Sequence, residues 1–263
     1  MQEVKKKKEI ARVISQREIA EGVFDMWIET SIAKQAKAGQ FISVYPNNQS
    51  TLLPRPISIC MADDEKLRIV YRIAGKGTTE FSSYRSEDEI TVLGTLGNGY
   101  DLSKADDKTV CLLGGGIGIP PMLQLAKCLK ERGKAKRIVC ILGYRDNSLF
   151  LKEEFDQYAD VYVATEDGSA GTKGNVMDVI KSEGIDIDVM MSCGPMPMLR
   201  AIKAYADEKN IPAYISLEER MACGVGACLG CIVKTKEKDH HSHVNNARIC
   251  TDGPVFLASD LDM

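Results

Sequence analysis

Four cysteines near the C-terminus constrain this 263-residue chain more than any other feature. They lie in Cys223-Gly-Val-Gly-Ala-Cys228-Leu-Gly-Cys231 and at Cys250, with the spacing C-x4-C-x2-C…C. This is the plant-type spacing for a [2Fe–2S] cluster, in which four thiolates complete two iron tetrahedra. A tight ligand loop needs close backbone approach and positive φ angles, which Gly224, Gly226 and Gly230 accept at low steric cost. The sequence therefore predicts a cluster and one-electron transfer.

Other uses of the cysteines stay open. A disulfide framework fits poorly, because nine cysteines is an odd number and the chain is long for such a fold. We also expect no secretory signal. A zinc site usually uses paired C-x2-C knuckles, of which this segment has one. Histidines between Cys231 and Cys250 offer further metal ligands, although such a charged run is more often an exposed loop. These histidines are His240, His241 and His243. The cysteines expected to be packing residues are Cys60, Cys111, Cys128 and Cys140.

Composition limits the possible partners. The chain is 44% hydrophobic and 27% charged, as soluble globular proteins are. A net charge of −3 gives no electrostatic case for nucleic acid. No segment reaches the roughly 20 apolar residues that span a bilayer. The cysteine usage suits a reducing compartment, so we expect a cytoplasmic protein without a membrane or nucleic-acid partner.

The chain has three regions with different sequence patterns, which predict a multidomain β plus α/β protein. Residues 1–103 alternate polar and apolar positions in short runs, which predicts a closed antiparallel β-barrel. The runs are Glu9–Ser15, Val23–Thr30, Phe41–Tyr45, Ile57–Met61, Leu67–Ile73 and Glu89–Leu93. Residues 104–216 alternate buried strands with helical segments, which predicts a Rossmann-like parallel sheet. Its strands are predicted at Thr109–Leu113, Arg137–Leu142, Val161–Thr165, Asp188–Ser192 and Ala213–Ser216, with a helix over Pro120–Arg132. Residues 217–263 form the cluster segment.

The second region carries a phosphate-binding pattern. A glycine-rich turn joins a buried strand to a helix, whose N-terminus offers free N–H groups to a pyrophosphate. Its glycines are Gly114, Gly115, Gly116 and Gly118. Ser192-Cys193-Gly194-Pro195 follows another buried strand, at the sheet edge where ligands bind. Thr165-Glu-Asp167-Gly168 is a third candidate at a strand end, and an ordinary turn explains it almost as well.

The first region carries a second group of candidates. Arg55-Pro56-Ile57-Ser58 combines a rigidly placed guanidinium with a hydroxyl, which can bind a phosphate. Val70-Tyr71-Arg72 adds an aromatic ring that could cover a flat cofactor, and Gly77-Thr78 follows in a turn. By themselves these residues are compatible with purely structural roles.

Taken together and in this order, the motifs resemble the ferredoxin–NADP reductase superfamily. The motifs that support this resemblance are R-P-x-S and G-x-G-T in the barrel, G-G-G-x-G-x-x-P after a strand, and C-G-P-x-P-M further on. The runs Glu218–Cys231 and Arg248–Phe256 narrow the resemblance to the electron-transfer subunits of NAD-dependent dihydroorotate dehydrogenases. The similarity covers nearly the whole chain. The loop between Cys231 and Cys250 departs from it in being long and histidine-rich.

The resemblance implies three cofactors and a partner. FAD would bind at Arg55–Ser58, Val70–Arg72 and Gly77–Thr78, and the cluster at Cys223, Cys228, Cys231 and Cys250. NAD would bind at the glycine turn with Gly194 and Pro195, beside Cys193 as the catalytic thiol. Two copies of this chain would join two FMN-containing catalytic subunits that oxidise dihydroorotate to orotate in pyrimidine biosynthesis. Electrons would pass from FMN through [2Fe–2S] and FAD to NAD⁺.

Two rival functions remain at this stage. A small subunit of a sulfide dehydrogenase or of a ferredoxin:NADP oxidoreductase would use similar chemistry with another partner. A zinc-stabilised nucleotide-binding regulator would carry out no redox chemistry. For the nucleotide, Arg145 stands beside Asp146 and Asn147 where an NADP site needs several positive groups, so the sequence favours NAD.

Overall fold

A computed structural model describes residues 6–238 and 243–263. His240 and His241 of the predicted histidine loop lie outside these residues, whereas His243 is described, exposed and at a φ of 57°. Contacts divide the chain into two compact units. The first comprises Met1–Gly99, Glu218–Ile232 and Arg248–Pro254; the second comprises Tyr100–Leu217, Val233–Ala247 and Val255–Met263. The cluster segment is thus shared between the units, and the division into three domains stays a prediction.

The first unit contains the predicted barrel, which is confirmed as a closed antiparallel sheet in the order β1-β2-β5-β4-β3-β6. The strands are β1 (Lys7–Ala20), β2 (Val23–Glu29), β3 (Phe41–Tyr45), β4 (Arg55–Ala62), β5 (Lys66–Arg72) and β6 (Glu89–Leu96). Alternate side chains such as Ile42, Val44, Ile59 and Ile69 fill the interior, because successive residues of a strand point to opposite faces. Their neighbours along each strand are therefore available on the outer face.

A short helix follows the barrel's fifth strand, where the sequence predicted only a turn. This helix, α1 (Lys76–Phe81), inserts the fully buried ring of Phe81 into the barrel core. Burial of one aromatic side chain fixes the helix on the barrel, although six residues are too few for a helix that is stable alone. Gly77 and Thr78 thereby take fixed positions beside β4 and β5.

The second unit is built on a seven-stranded sheet in the order β10-β9-β8-β7-β11-β12-β15. The parallel strands are β7 (Thr109–Gly115), β8 (Arg137–Tyr144), β9 (Asp160–Thr165), β10 (Thr172–Lys173), β11 (Val189–Cys193) and β12 (Ala213–Ser216). The helices are α2 (Ile119–Arg132), α3 (Lys152–Phe155), α4 (Val176–Glu183) and α5 (Met196–Lys209). The predicted parallel sheet is confirmed, and the order reverses between β7 and β11, which is where such sheets bind ligands.

The C-terminal segment adds three short strands. β13 (Ile232–Lys234) pairs with β14 (Asn246–Arg248), and β15 (Val255–Leu257) joins β12 as an antiparallel edge strand. One-turn 3-10 helices lie at Ser31–Gln35, Leu102–Ala105, Gly116–Gly118 and Ala258–Asp260. Within the described ranges, no helix combines the length and the apolar character that crossing a membrane requires.

Candidate functional site

The four predicted cluster cysteines come together within the first unit. Three lie on the loop after β12, and the fourth lies two residues after β14. Their thiols interact as two pairs, Cys223 with Cys228 and Cys231 with Cys250. The Ile249 N–H donates to the Cys231 carbonyl at 2.9 Å and ties the fourth ligand to the loop.

This pairing fits a dinuclear cluster. Within residues 6–238 and 243–263, no three His, Cys, Asp or Glu side chains surround a position for a single ion. A structural zinc ion takes four ligands around one centre, whereas each iron of a [2Fe–2S] cluster takes two of the four thiolates. The donor set is therefore chemically matched to two irons. The structure describes all nine cysteines, and none of them forms a disulfide.

Backbone amides shape the electrostatics of the thiols. The Val225 N–H donates to Cys223 Sγ at 3.4 Å, and the N–H groups of Ala227 and Cys228 also point at this sulfur. Burial raises the pKa of Cys223, but these donors outweigh it and lower the pKa to about 6. Burial and the adjacent Cys231 thiol raise the pKa of Cys250 to about 12. The loop thus provides amide donors for anionic sulfur, which is the form a metal ligand takes.

Two of the three cluster-loop glycines behave as predicted. Gly224 and Gly226 adopt φ angles of +67° and +84°, and a Cβ on Gly226 would lie 2.8 Å from Thr251 Cγ2. The prediction of a positive φ is wrong for Gly230; Leu229 takes the left-handed conformation instead, at 56°. A Cβ on Gly230 would make ordinary contact with Cys228 Sγ at 3.5 Å.

The cluster segment is anchored to the barrel. The Asn98 N–H donates to the Gly253 carbonyl at 2.6 Å, and Asn98 Nδ2 donates to the Thr251 carbonyl at 2.9 Å. A Cβ on Gly97 would lie only 2.5 Å from Pro254 Cδ. These contacts follow directly after β6, so the segment that carries the fourth cysteine is held against the end of this strand.

On the barrel, Arg55 forms a cradle with the first turn of α1. A Cβ on Gly77 would lie 2.8 Å from Arg55 Nε and 2.9 Å from Cζ, so a side chain here would displace the guanidinium from this position. Arg55 Nη1 donates to the Leu53 carbonyl at 2.6 Å. Thr78 Oγ1 accepts from the Ala74 N–H at 2.8 Å and fixes the turn before the helix. The arrangement places a fork of donors beside a tight turn, which suits a phosphate.

Strand alternation separates the other predicted flavin residues into two groups. Ile57 and Tyr71 belong to the barrel core. The Tyr71 ring stacks on Phe24 at 5.8 Å, and its hydroxyl donates to Gln16 Oε1 at 2.7 Å, so it does not cover a cofactor on the outside. The residues on the outer face of β4 and β5 are Pro56, Ser58, Val70 and Arg72. A role of Ile57 and Tyr71 in FAD binding is left to their backbone groups and stays a prediction.

In the second unit the two glycine turns pack against each other. β7 and β11 are neighbours, with Gly114 opposite Cys193. A Cβ on Gly118 would lie 2.4 Å from the Cys193 carbonyl oxygen, and one on Gly115 would lie 3.1 Å from Pro195 Cδ. Gly116 has a φ of +53°, and prolines occupy the first turn of α2. Side chains are thus excluded beside the N-terminus of α2, whose free N–H groups can bind a phosphate.

Cys193 is fully buried at the end of β11. Gly194, which follows it, would meet Met198 Cε at 2.5 Å if it carried a Cβ. The Tyr100 hydroxyl donates to the Ser192 carbonyl at 2.8 Å, and burial followed by the nearby Cys193 raises the pKa of Tyr100. The strand end is therefore rigid, and the catalytic role of Cys193 stays a prediction.

Two carboxylates lie near each other at the carboxyl ends of β8 and β9. Asp146 accepts from the Ser148 N–H at 2.8 Å, and Asp167 accepts from the Ser169 N–H at 2.9 Å. These hydrogen bonds with Ser148 and Ser169 lower both pKa values, and the Asp167 charge partly opposes the effect at Asp146. Arg145 is exposed beside them. This edge carries more negative than positive charge.

Sequence reasoning missed the residues that attach the cluster segment to the barrel, notably Asn98, and it missed the buried hydroxyl of Ser43. Neither belongs to a motif. Ser43 occupies an outward position of a regular strand, and only its complete burial distinguishes it from a solvent-facing serine.

Comparisons with known proteins agree with this arrangement. Residues 218–262 match the iron-sulfur cluster binding domain of dihydroorotate dehydrogenase B, and residues 112–204 match an oxidoreductase NAD-binding domain. The dihydroorotate dehydrogenase B (NAD(+)) electron transfer subunit of Bacillus cereus strain B4264 is 42% identical over 250 residues, covering 93% of this chain and 94% of the relative. The subunit of the same name from Streptococcus pneumoniae R6 is 42% identical over 252 residues, covering 94% and 96%.

Solved structures show the same fold. A chain from the NADH-dependent reduced ferredoxin-NADP oxidoreductase structure, reported for flavin-based electron bifurcation, superimposes with a TM-score of 0.84 at 29% identity. The match covers 96% of this chain and 89% of that one. A ferredoxin NADP+ reductase from Neisseria gonorrhoeae superimposes with a TM-score of 0.66 at 15% identity, covering 76% and 91%, which shows the fold alone.

Barrel, parallel nucleotide-binding sheet and paired thiols together define an oxidoreductase of the ferredoxin–NADP reductase type with an added iron–sulfur cluster domain. The similarity to the curated relatives spans nearly the full length of both chains, so it also establishes the family of this chain. The chain belongs to the electron transfer subunits of dihydroorotate dehydrogenase B (NAD(+)).

Each of the four paired cysteines is expected to be required for the cluster. Replacing any of Cys223, Cys228, Cys231 or Cys250 by serine removes one of the two thiolates offered to an iron, and the iron content and visible absorbance of purified protein should fall. Cys128→Ser, on α2 and outside the set, is the matched control and should retain both. Unchanged iron in one of the four variants would remove that residue from the ligand set.

Arg55→Ala is expected to lower the FAD content of purified protein, because the cradle at Gly77 loses its donor fork. Arg55→Lys should recover only part of it, since an ammonium group does not reproduce the bidentate geometry. The measurement is flavin per protein and the flavin dissociation constant. Arg12→Ala, an exposed arginine of the same barrel, should leave both unchanged. Full FAD occupancy with an unchanged dissociation constant in Arg55→Ala would contradict the assignment.

Proposed function

We propose that this chain carries electrons from a partner subunit that oxidises dihydroorotate, through a [2Fe–2S] cluster and FAD, to NAD⁺. The observation that carries the proposal is the position of the paired thiols. Asn98 and Gly97 hold the cluster segment to the end of β6, so the cluster and the barrel belong to one compact unit. An electron donor site and a flavin site within one rigid unit suit direct transfer between them.

The chain's own residues divide the remaining tasks. Arg55, Gly77 and Thr78 would hold the FAD pyrophosphate, and the outer face of β4 and β5 would orient its ring. The glycine turns after β7 and β11 would hold the NAD pyrophosphate at the start of α2. When bound, a flavin converts single electrons into the hydride that NAD⁺ accepts, which is why it stands between cluster and nucleotide.

The partner is proposed to be an FMN-containing catalytic subunit, with two copies of each chain in the complex. The curated relatives are named as the electron transfer subunit of a dehydrogenase, which supports a separate catalytic chain. Exposed apolar side chains on the cluster loop, Val225 and Leu229, support docking beside the cluster. Nine cysteines without a disulfide among the described residues support a reducing cytoplasmic setting.

The function is tested by purifying the chain from its natural source under anaerobic conditions and analysing what accompanies it. We expect an FMN-containing chain in equal amount, with dihydroorotate reducing the bound FAD and cluster only while this partner is present. The isolated chain should still oxidise NADH with an artificial acceptor.

The rival assignments give different results in the same experiment. An iron–sulfur-rich large subunit without FMN, and no response to dihydroorotate, would favour a sulfide dehydrogenase or a ferredoxin:NADP oxidoreductase. Colourless protein containing zinc would refute electron transfer altogether.

NADH is expected to reduce the bound flavin with a kcat/KM at least tenfold above that of NADPH, on the order of 1.4 kcal/mol. The 2′-phosphate of NADP would meet Asp146 and Asp167 with only Arg145 to offset them. Replacing both carboxylates by asparagine should raise the kcat/KM for NADPH and so reduce the NADH-to-NADPH ratio of kcat/KM. Glu183→Gln, a charge removal at the end of α4, is the control and should leave it unchanged. A wild-type preference for NADPH would overturn the assignment and make Arg145 the 2′-phosphate ligand.

A further inference from the structure

Ser43 has a buried hydroxyl without a visible purpose in the barrel. Its side chain is completely inaccessible, and its Oγ has no hydrogen-bond partner among the residues that the structure describes. An unpaired hydroxyl away from water costs free energy, so buried hydroxyls are almost always hydrogen-bonded. Thr95 Oγ1 of β6 is buried without a partner in the same way, so what distinguishes Ser43 is its contact with the cluster loop, where an acceptor that is not part of the polypeptide can lie.

The direction of the side chain identifies where this acceptor lies. Ile42 and Val44, on either side of Ser43 in β3, fill the barrel interior, so Ser43 points outward. On the outside it meets the cluster loop, because a Cβ on Gly224 would lie 3.1 Å from Ser43 Oγ. Gly224 directly follows Cys223 and has a φ of +67°, which keeps the loop close to the strand. Leu96 Cδ1, at 3.2 Å from the same Cβ position, closes the other side with an apolar surface.

The same position borders the proposed flavin surface. Ser43 pairs directly with Pro56 across β3 and β4, and Phe41 pairs with Ser58. Ser43 therefore lies between the outer face that would orient the flavin ring and the loop that carries Cys223. A donor at this point can bias how an electron is distributed between the two cofactors.

We propose that the Ser43 hydroxyl donates a hydrogen bond to sulfur of the cluster on its Cys223 side and thereby raises the cluster's reduction potential. The inference rests on the proposed cluster at the four cysteines. Hydrogen bonds to cluster sulfur are one of the determinants of potential, because they stabilise the more negative reduced form. Ser43 acts here as a positioning and tuning residue, alongside the backbone N–H groups of the loop.

The test is the midpoint potential of the cluster in the complete chain with its cofactors, measured by anaerobic titration followed by electron paramagnetic resonance. Ser43→Ala should keep its iron and sulfide but titrate at a lower potential than wild type. A tenfold loss of preference for the reduced form corresponds to about 59 mV for one electron. Ser15→Ala, an exposed hydroxyl deletion in β1, should titrate as wild type.

A matched pair of larger variants separates the hydroxyl from packing. Threonine and valine have nearly the same shape, so Ser43→Thr and Ser43→Val impose the same steric load and differ in the hydroxyl. We expect Ser43→Thr to keep the wild-type potential and Ser43→Val to follow Ser43→Ala. A comparison of spectra in H2O and D2O should show one more cluster-coupled exchangeable proton in wild type and Ser43→Thr than in the two hydroxyl-free variants, which keep only those of the backbone N–H groups.

Several outcomes decide the matter. Equal potentials in all the variants, or the same number of cluster-coupled exchangeable protons in Ser43→Ala as in wild type, would overturn the inference while leaving the cluster and the proposed function intact. Loss of the cluster from the threonine and valine variants, with Ser43→Ala retaining it at the wild-type potential, would show that the position needs small volume rather than a hydroxyl and would also overturn the inference. Loss from the alanine and valine variants alone would support the hydroxyl as a contact of the cluster site. Wild-type protein without a cluster would instead refute the proposed function.

Discussion

The close contact between the cluster segment and the barrel is the constraint on which the redox site depends. Gly224 and Gly97 remove two side chains where the C-terminal segment meets β3 and β6, and Asn98 adds hydrogen bonds at the same junction. A larger residue at Gly97 would collide with Pro254, and one at Gly224 would be strained at its positive φ. Because the segment is fixed in this way, the cysteines separated by the longest gap in sequence, Cys231 and Cys250, can meet.

Glycines also permit close backbone approach in the nucleotide-binding unit, where they join two strand ends. There Gly118 lets the glycine turn after β7 approach the Cys193 carbonyl, and the two strand ends become one rigid edge. On the barrel, Gly77 makes room for the Arg55 guanidinium rather than for backbone. In each place the missing side chain lets another group approach closely, either backbone or, at Gly77, the Arg55 guanidinium.

The three proposed ligand sites differ in their local charge. Amide N–H groups turn toward Cys223 and favour an anionic sulfur, whereas the donors at Arg55 carry a full positive charge suited to phosphate. At the edge of the parallel sheet, Asp146 and Asp167 add negative charge beside Arg145, which is the residue proposed to meet an NADP phosphate. Ser43 is the neutral donor in this set, and its burial makes its hydrogen bond stronger than it would be in water.

The sequence by itself determined the fold class and predicted three ligand sets, which stay predictions, because cluster spacing, glycine turns and strand alternation are local patterns. Cys223, Cys228 and Cys231 lie on one loop, so their spacing already carried the chemistry. Tertiary structure alone decided that Tyr71 points into the barrel core, that Leu229 rather than Gly230 is left-handed, and that β15 completes the nucleotide-binding sheet. Burial of Ser43 was equally invisible, since a serine in an alternating strand looks solvent-facing until another segment covers it. Those features depend on contacts between residues far apart in the chain, and no local pattern encodes them.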